Sequence, residues 1–397
     1  VQTTVASPAT TTAIATLAED AGLSHVHVFA WRDLDDPEAG GSEVHAHQIM
    51  SIWAQAGLRV THRTSAAEGR PAVAVRSGYT VSRRGSRYSV FPRAALAEVA
   101  GRLGPCDAVV EIWNGMPFLS PVWWHGPTSV WLHHVHGPMW DQSLPPVLAR
   151  VGHLIEERLA PPLYRRRPIV TLSRSSKAEL VDELGFDDTA VTVVPPGVDP
   201  FFSPGGERAP HPLVVAVGRL TPVKDFPRLV QVMARARERV PDLELVIVGE
   251  GYLRAELERA VDAVGGRSWI RLPGRIGDDQ LRELYRRAWM VASTSTREGW
   301  GMTLTEAAAC GTPAVATDIA GHADAVAEGR SGLLASGDDD LVDATTSVLT
   351  DARLRHRLQE GAAARASELT WERAAVRTFE ILAADATGRA RRRHRRG

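Results

Sequence analysis

PLVVAVGRLTPVKDF, residues 212–226, opens with an unbroken apolar run that stops at Gly218, and then puts Arg219 and Lys224 into the segment before the next helical stretch. An apolar run without polar alternation reads as a strand buried on both faces, the mark of a parallel sheet. The unit recurs. LELVIVG (243–249), SWIRLPG (268–274), AWMVAST (288–294) and TPAVATD (312–318) read as four more buried strands, with helices expected at 226–239 and 278–288. Strands alternating with helices predict a doubly wound α/β domain.

Working upstream, HVHVFAW (25–31), a helically spaced stretch from Val44 to Ala56 closed by Gly57, and LRVTHRTS (58–65) form a βαβ unit. DAVVEIW (107–113), SVWLHHVH (129–136), PIVTLS (168–173) and VTVVPPG (191–197) continue that sheet, and residues 1–24 read as a loose arm or short helix. Residues 195–212 are dense in proline and glycine and mark a linker. The expectation is two Rossmann-like, doubly wound parallel-sheet domains facing a central cleft. The first covers 1–195 and the second 196–370. A last helix, from about Trp371 to Ala384 within 371–397, should pack back on the first domain. The cleft should open and close on its substrates, hinged near Pro195–Pro200 and Trp371.

At 397 residues the chain is too long for one comfortable core. With 44% hydrophobic and 23% charged residues and a net charge of -1, it has the profile of an ordinary globular protein, so no nucleic-acid partner is expected. Cys106 and Cys310 lack CxxC spacing, which suggests neither a disulfide framework nor a zinc site and fits a reducing cytoplasm. No apolar run approaches the roughly 20 residues that span a bilayer. Residues 1–24 do not resemble a signal peptide, so export by that route is not expected. The basic end RARRRHRRG (389–397) reads as a flexible, solubilising tail, with peripheral contact to anionic lipid at the inner membrane face, or to an acidic partner, as the alternative. The acidic run Asp338–Asp340 reads as a loop before a helix starting near Leu341. Nothing in the sequence specifies an oligomeric state.

Of the 46 basic residues only Lys177 and Lys224 are lysines. Arg219 and Lys224, after the end of a parallel strand where such sheets bind ligands, suit the charge on a leaving diphosphate; the alternative is a solvated surface pair. REGWGMTLTEAAACGTPAVATD (297–318) sets Glu298 on a glycine-rich loop and Glu306 eight residues later in the first turn of a helix, where a helix N-terminus can bind phosphate. Thr303 and Glu306 also match a capping box, which would leave Glu306 a purely local role. AGGSE (39–43) offers Gly40 and Gly41 to an anion, but no P-loop lysine follows. LHHVHG brings His133, His134 and His136 together at a strand end without a carboxylate or cysteine at metal-ligand spacing. In GEGYLR (249–254) Arg254 occupies the third glycine position of a dinucleotide fingerprint, against a nicotinamide enzyme.

Taken in order, AGGSE, the histidine segment, VTLSRSSKAEL, VVPPGVDPFF, VAVGRLTPVKDF, LVIVGEG, LPGRI and EGWGMTLTEAAACGTPAVATD resemble the family 4 retaining glycosyltransferases of the GT-B fold. The similarity runs from about residue 25 to 375 and is strongest after 168. The resemblance implies that Glu298 binds hydroxyls of the donor sugar and Glu306 those of the ribose. It implies that Arg219 and Lys224 grip the diphosphate, with backbone at Gly299, Trp300, Gly301, Met302 and Thr303 assisting. Gly41 would close on the diphosphate from the other domain, and Arg275 and Ile276 would present backbone to the base. His133, six residues after Pro127, matches the family's reaction-centre histidine, with His136 as the alternative.

The partners so implied are a nucleoside-diphosphate sugar, UDP or GDP, and a sugar, lipid-linked or small-molecule acceptor. Hexosyl transfer would proceed by front-face attack, with no cofactor and no metal; DLDD (33–36) is the single DxD near a strand end. The chain departs from many relatives in WRDLDDPE (31–38) and in the histidine cluster, both on the acceptor side. Competing readings are a GT-B nucleotide-sugar epimerase or phosphorylase, and a non-enzymatic nucleotide-sugar-binding protein.

Overall fold

The computed structural model describes residues 2–137, 139–143 and 145–394. It falls into two compact units, one reaching to Gly197 and resuming at Thr370, the other Val198–Leu369.

The first unit is built on eight strands: β1 His25–Phe29, β2 Arg59–Thr64, β3 Val73–Arg76, β4 Tyr79–Arg83, β5 Ala108–Trp113, β6 Thr128–Leu132, β7 Ile169–Thr171 and β8 Val191–Val193. Their order is β3-β4-β2-β1-β5-β6-β7-β8. All pairs are parallel except the β3–β4 hairpin. That hairpin was not expected from sequence: its short alternation lies among Gly, Pro and Arg, and it turns on Ser77 and Gly78, with φ of 45° and 88°. β6 stops at Leu132, four residues before the expected end, so the three histidines lie in the loop beyond it. The helix Gly41–Gln55 begins at Gly41 rather than Val44, because Glu43 turns back to accept from the Gly40 N–H (2.7 Å).

The helix Trp371–His394 packs in this unit against the helices Pro8–Ala21 and Gly41–Gln55. Trp53 donates from Nε1 to the Ala375 carbonyl (3.0 Å) and meets Phe379 edge to face. The expected flexible tail is corrected here: residues 389–394 continue the helix, Arg389 reaching back one turn to Asp385 at 2.6 Å, while 395–397 lie outside the described residues.

The second unit carries β9 Leu213–Val217, β10 Glu244–Val248, β11 Ile270–Gly274, β12 Met290–Ser293, β13 Ala314–Thr317 and β14 Gly332–Ala335, in the order β11-β10-β9-β12-β13-β14, all parallel. The edge strand β14 escaped the sequence reading because it is four residues long and only half buried. The helix Phe226–Arg239 follows β9 and turns Leu229, Val230, Met233 and Ala236 onto the sheet at helical spacing. Asp338–Asp340 are not a loop. They form the first turn of the helix Asp338–Thr350, where carboxylates suit the positive end of the helix dipole, and Asp338 pairs with Arg228 at 2.6 Å. Among the described residues no helix is long and apolar enough to cross a membrane.

Candidate active site

Three neighbouring strands of the second unit end on glycine. Gly218 follows β9, Gly249 follows β10, and Gly274 closes β11. Their backbones are bonded in a row: Gly249 N–H to the Gly274 carbonyl, and Gly218 N–H to the Val248 carbonyl, both at 3.0 Å. A Cβ on Gly249, whose φ is 146°, would lie 1.8 Å from the Gly218 carbonyl oxygen, and one on Gly251 would lie 2.4 Å from that of Leu220. GEG is therefore a packing device: it lets the 218–220 turn sit on the end of β10. That turn leaves Arg219 exposed, and Gly274 leads directly to exposed Arg275 and half-buried Ile276.

Lys224 and Glu298 stand 74 residues apart and meet because the chain leaving β12 is stitched to the turn Pro222–Lys224. Thr296 N–H donates to the Val223 carbonyl (2.8 Å), and Thr294 Oγ1 donates to the Asp225 carbonyl (2.9 Å). Lys224 Nζ donates to Glu298 Oε1, which also accepts from Ser295 Oγ at 2.9 Å. Burial opposes ionisation of this carboxyl, yet Lys224, with His322 and Ser295, holds it below the ordinary value. His322 is fixed by Nδ1 on the Thr317 carbonyl (2.9 Å) and Nε2 against Ser293 Oγ (3.3 Å), and burial lowers its pKa against the pull of Glu298. A Cβ on Gly321 would meet the Glu298 carbonyl at 2.4 Å, so the glycine admits the Glu298 loop. The other lysine, Lys177, caps Asp188 at the surface (2.9 Å), a local pair and nothing more.

Gly301, with φ of 96°, is the N-cap of the helix Met302–Ala309. Thr303 is thus inside the first turn and Glu306 in the second, which corrects the capping box. The Glu306 carboxyl instead accepts from Tyr285 Oη at 3.4 Å. Burial lifts it to about 8, against the pull of Tyr285 and with added pressure from Asp278 and Asp199. Between 4.5 and about 8 the folded chain keeps a proton that the unfolded chain releases, so stability falls as pH rises through that window. Glu306→Gln should remove this slope: relative to wild type the variant gains on the order of a few kcal/mol from pH 5 to 8 in denaturant unfolding. Parallel pH profiles would contradict the assignment. The Trp300 ring is buried with Arg365 lying over it, so what this residue offers a ligand is backbone.

In the first unit Gly41 is exposed at the start of its helix, and Glu43 is held by Arg32 Nε at 2.9 Å. His133 is buried with Nε2 3.2 Å from His45 Nδ1, the rings edge to face. Burial, then the neighbouring imidazoles, lowers His133 well below its ordinary value, and burial takes His45 down to about 3, so both are neutral. His136 stacks on His134, and its N–H and that of Gly137 donate to buried Glu156 (2.9 and 3.1 Å). Asp33 and Asp35 of DLDD are taken by Arg83, at 2.5 and 2.6 Å. Among the described residues the one grouping of metal-ligand types is His27, Glu98 and Cys106, where His27 Nδ1 already bonds Glu98 at 2.7 Å. Sequence spacing gave no hint of it.

The profile described as "Glycosyltransferase Family 4" matches residues 39–201, and "Glycosyl transferases group 1" matches 199–365. The D-inositol 3-phosphate glycosyltransferase of Kribbella flavida is 30% identical over 396 residues, covering 87% of this chain and 92% of that protein. The chain belongs to the family 4 glycosyltransferases. The protein of the same name from Stackebrandtia nassauensis is 38% identical over 235 residues, so this glycosyltransferase chain spans about half the length of that relative, 52% of each. Sucrose-phosphate synthase from Thermosynechococcus elongatus shares the fold: TM-score 0.75 at 20% identity, over 89% of this chain and 97% of that one. The two parallel-sheet units are therefore those of a GT-B glycosyltransferase. Residues the sequence reading passed over are His45, Tyr285, Ser295 and His322. None belongs to a motif: the fold brings His45 to His133, Tyr285 to Glu306 and His322 toward Glu298, while Ser295 stands three residues before Glu298 and is marked only by its side-chain hydrogen bond.

Proposed function

We propose that this glycosyltransferase moves a hexosyl sugar, with retention, from a nucleoside diphosphate, UDP or GDP, to an acceptor hydroxyl. The reading is carried by the Lys224–Glu298 pair, set between the Gly218 turn and the helix start at Met302. The second unit takes the donor and the first the acceptor. Arg219 and Lys224 stabilise the leaving diphosphate, aided by the backbone N–H groups at Gly299–Thr303 and the helix dipole. Glu298 holds Lys224 and the sugar hydroxyls, Glu306 the ribose, and Arg275 and Ile276 the base, with Gly41 closing on the diphosphate. In front-face attack the acceptor oxygen bonds to the anomeric carbon as the bond to the diphosphate breaks, and a phosphate oxygen takes the acceptor's proton. Neutral His133 then serves as a hydrogen-bond partner at the reaction centre.

The acceptor is a sugar, a lipid-linked group or a small molecule; the relatives' name adds an inositol phosphate to the classes to assay. Action in the cytoplasm, at or near the inner membrane face, suits such substrates. Product analysis tests the reading. Sugar found on a second molecule with its anomeric configuration kept supports it, whereas isomerised donor or phosphorolysis favours an epimerase or phosphorylase. A donor-dependent thermal shift without turnover favours a binding protein.

Metal-independent transfer belongs to the same proposal. Its support is that Asp33 and Asp35 are committed to arginine, while Lys224 and Arg219 supply positive charge. Rates in excess chelator should equal those with magnesium or manganese. Activity abolished by chelator and restored by either ion would overturn it.

A further inference from the structure

The helix Val90–Val99 turns a carboxylate inward where its spacing calls for an apolar residue. Val90, Ala94 and Glu98 are its buried positions, four apart on one stripe, while Leu96 and Val99 are 69 and 67% exposed. Val90 and Ala94 meet Phe29 and Val109 in an apolar cluster. Glu98, one turn further on, meets His27 of β1, with Nδ1 2.7 Å from Oε2 and both side chains buried. Among the described residues its ion partner is that imidazole and not an arginine or lysine. A buried carboxylate without a fixed cation beside it is costly, and its place in the core stripe calls for a reason.

Cys106 arrives from the loop before β5. Asp107 accepts from the N–H groups of Ser24 and His25 (2.7 and 2.8 Å), and its own N–H donates to the His25 carbonyl (2.9 Å), which pins the preceding cysteine against the start of β1. His27 Nδ1, a Glu98 oxygen and Cys106 Sγ then lie within 4.8 Å of one another. Burial, then the facing Glu98 carboxylate, pushes the thiol up, a repulsion that a cation between the two would reverse. Cys106 is half-buried and follows exposed Gly101, Arg102, Gly104 and Pro105, so the cluster has a way in from solvent. It lies toward the amino ends of the strands, since Cys106 stands before the start of β5 and Glu98 in the last turn of the helix leading to it. Substrates of such sheets bind at the opposite, carboxyl ends.

We propose that His27, Glu98 and Cys106 bind one divalent transition-metal ion of the zinc class, which braces the helix Val90–Val99 on β1. Imidazole nitrogen, carboxylate oxygen and thiolate sulfur form a ligand set for zinc, whereas magnesium and calcium take oxygen. As the ion enters, the His27–Glu98 hydrogen bond opens, the thiol proton leaves to solvent as the metal–sulfur bond forms, and water takes the fourth position. The role is structural and independent of the donor-site proposal: its readouts are binding and stability, not transfer.

The test uses the untagged full chain, stripped of metal, with cobalt and zinc as probes. One cobalt per chain is expected, with thiolate-to-cobalt absorption in the near ultraviolet that zinc bleaches. Zinc at about a hundredfold over its Kd should raise Tm by about 5 °C or more, and magnesium or calcium should do neither. Cys106→Ala should abolish the absorption. Glu98→Gln and His27→Gln should each weaken zinc binding by more than the roughly 10–100-fold that losing an outer-shell partner costs. Where a variant folds poorly, wild type alone decides: zinc should slow alkylation of Cys106, read by mass spectrometry, by about tenfold or more. Absence of thiolate absorption, a zinc shift in Tm that survives Cys106→Ala, or alkylation of Cys106 unchanged by saturating zinc would overturn the proposal and leave a buried hydrogen-bonded cluster.

Discussion

Lys224→Ala is expected to lower turnover by about a hundredfold or more while leaving the fold intact. Removing one preorganised donor to a developing oxyanion costs about that much in other enzymes. The ammonium sits on the 222–224 turn, and that turn is held by backbone and threonine bonds that the substitution does not touch. The variant leaves the Glu298 carboxylate with Ser295 alone of its two hydrogen-bonding partners, so some loss of sugar handling should accompany the loss of rate. Glu298→Gln keeps the shape and should impair the sugar step more than binding of free nucleoside diphosphate. A solvated surface lysine predicts the opposite, with rate and stability within the noise of an ordinary surface substitution. Steady-state kinetics with a verified acceptor, beside thermal unfolding, separates the two.

The largest structural effect should come from Gly249→Ala. Its φ of 146° lies in a region that side-chain-bearing residues avoid, and the new methyl would fall 1.8 Å from a backbone oxygen, which cannot rotate away as a side chain can. Overpacking and backbone strain together should cost about 3 kcal/mol, or roughly 6–12 °C in Tm for a domain of this size. Because the displaced atom belongs to Gly218, transfer should fall as well, through Arg219. Gly265→Ala is the comparison: φ is also positive, at 61°, but nothing lies within 4 Å, so its penalty should be the left-handed backbone strain alone, about 1 kcal/mol, and confined to stability. Equal losses for the two would show that the strand-end packing at Gly249 is not what matters.

Much of this was legible in the sequence because parallel sheets announce themselves. Leu213–Val217 or Glu244–Val248 can hardly be anything but a buried strand, and the turn after the first carries Arg219 and Lys224. What stayed hidden was set by distance or by competition. The β3–β4 hairpin is stabilised by pairing across a positive-φ turn, not by an apolar run. The Thr303–Glu306 capping box was a sound local pattern that lost to Gly301, whose left-handed φ starts the helix earlier. The His45–His133 contact joins residues 88 apart, and the helix Pro146–Leu154 carries Val147, Leu148, Val151 and Leu154 outward. Spacing gives a stripe's existence but not whether it faces the core or the solvent.

The most direct test of the central claim is a crystal structure of the complex with UDP-glucose or GDP-mannose, whichever gives the larger thermal shift. The account predicts the diphosphate within hydrogen-bonding distance of Lys224 Nζ and the Arg219 guanidinium, its oxygens toward the N–H groups at the start of the helix Met302–Ala309. It predicts ribose hydroxyls on Glu306. A nucleotide seated elsewhere in the chain, or one whose diphosphate leaves the Lys224–Glu298 pair untouched, would contradict it.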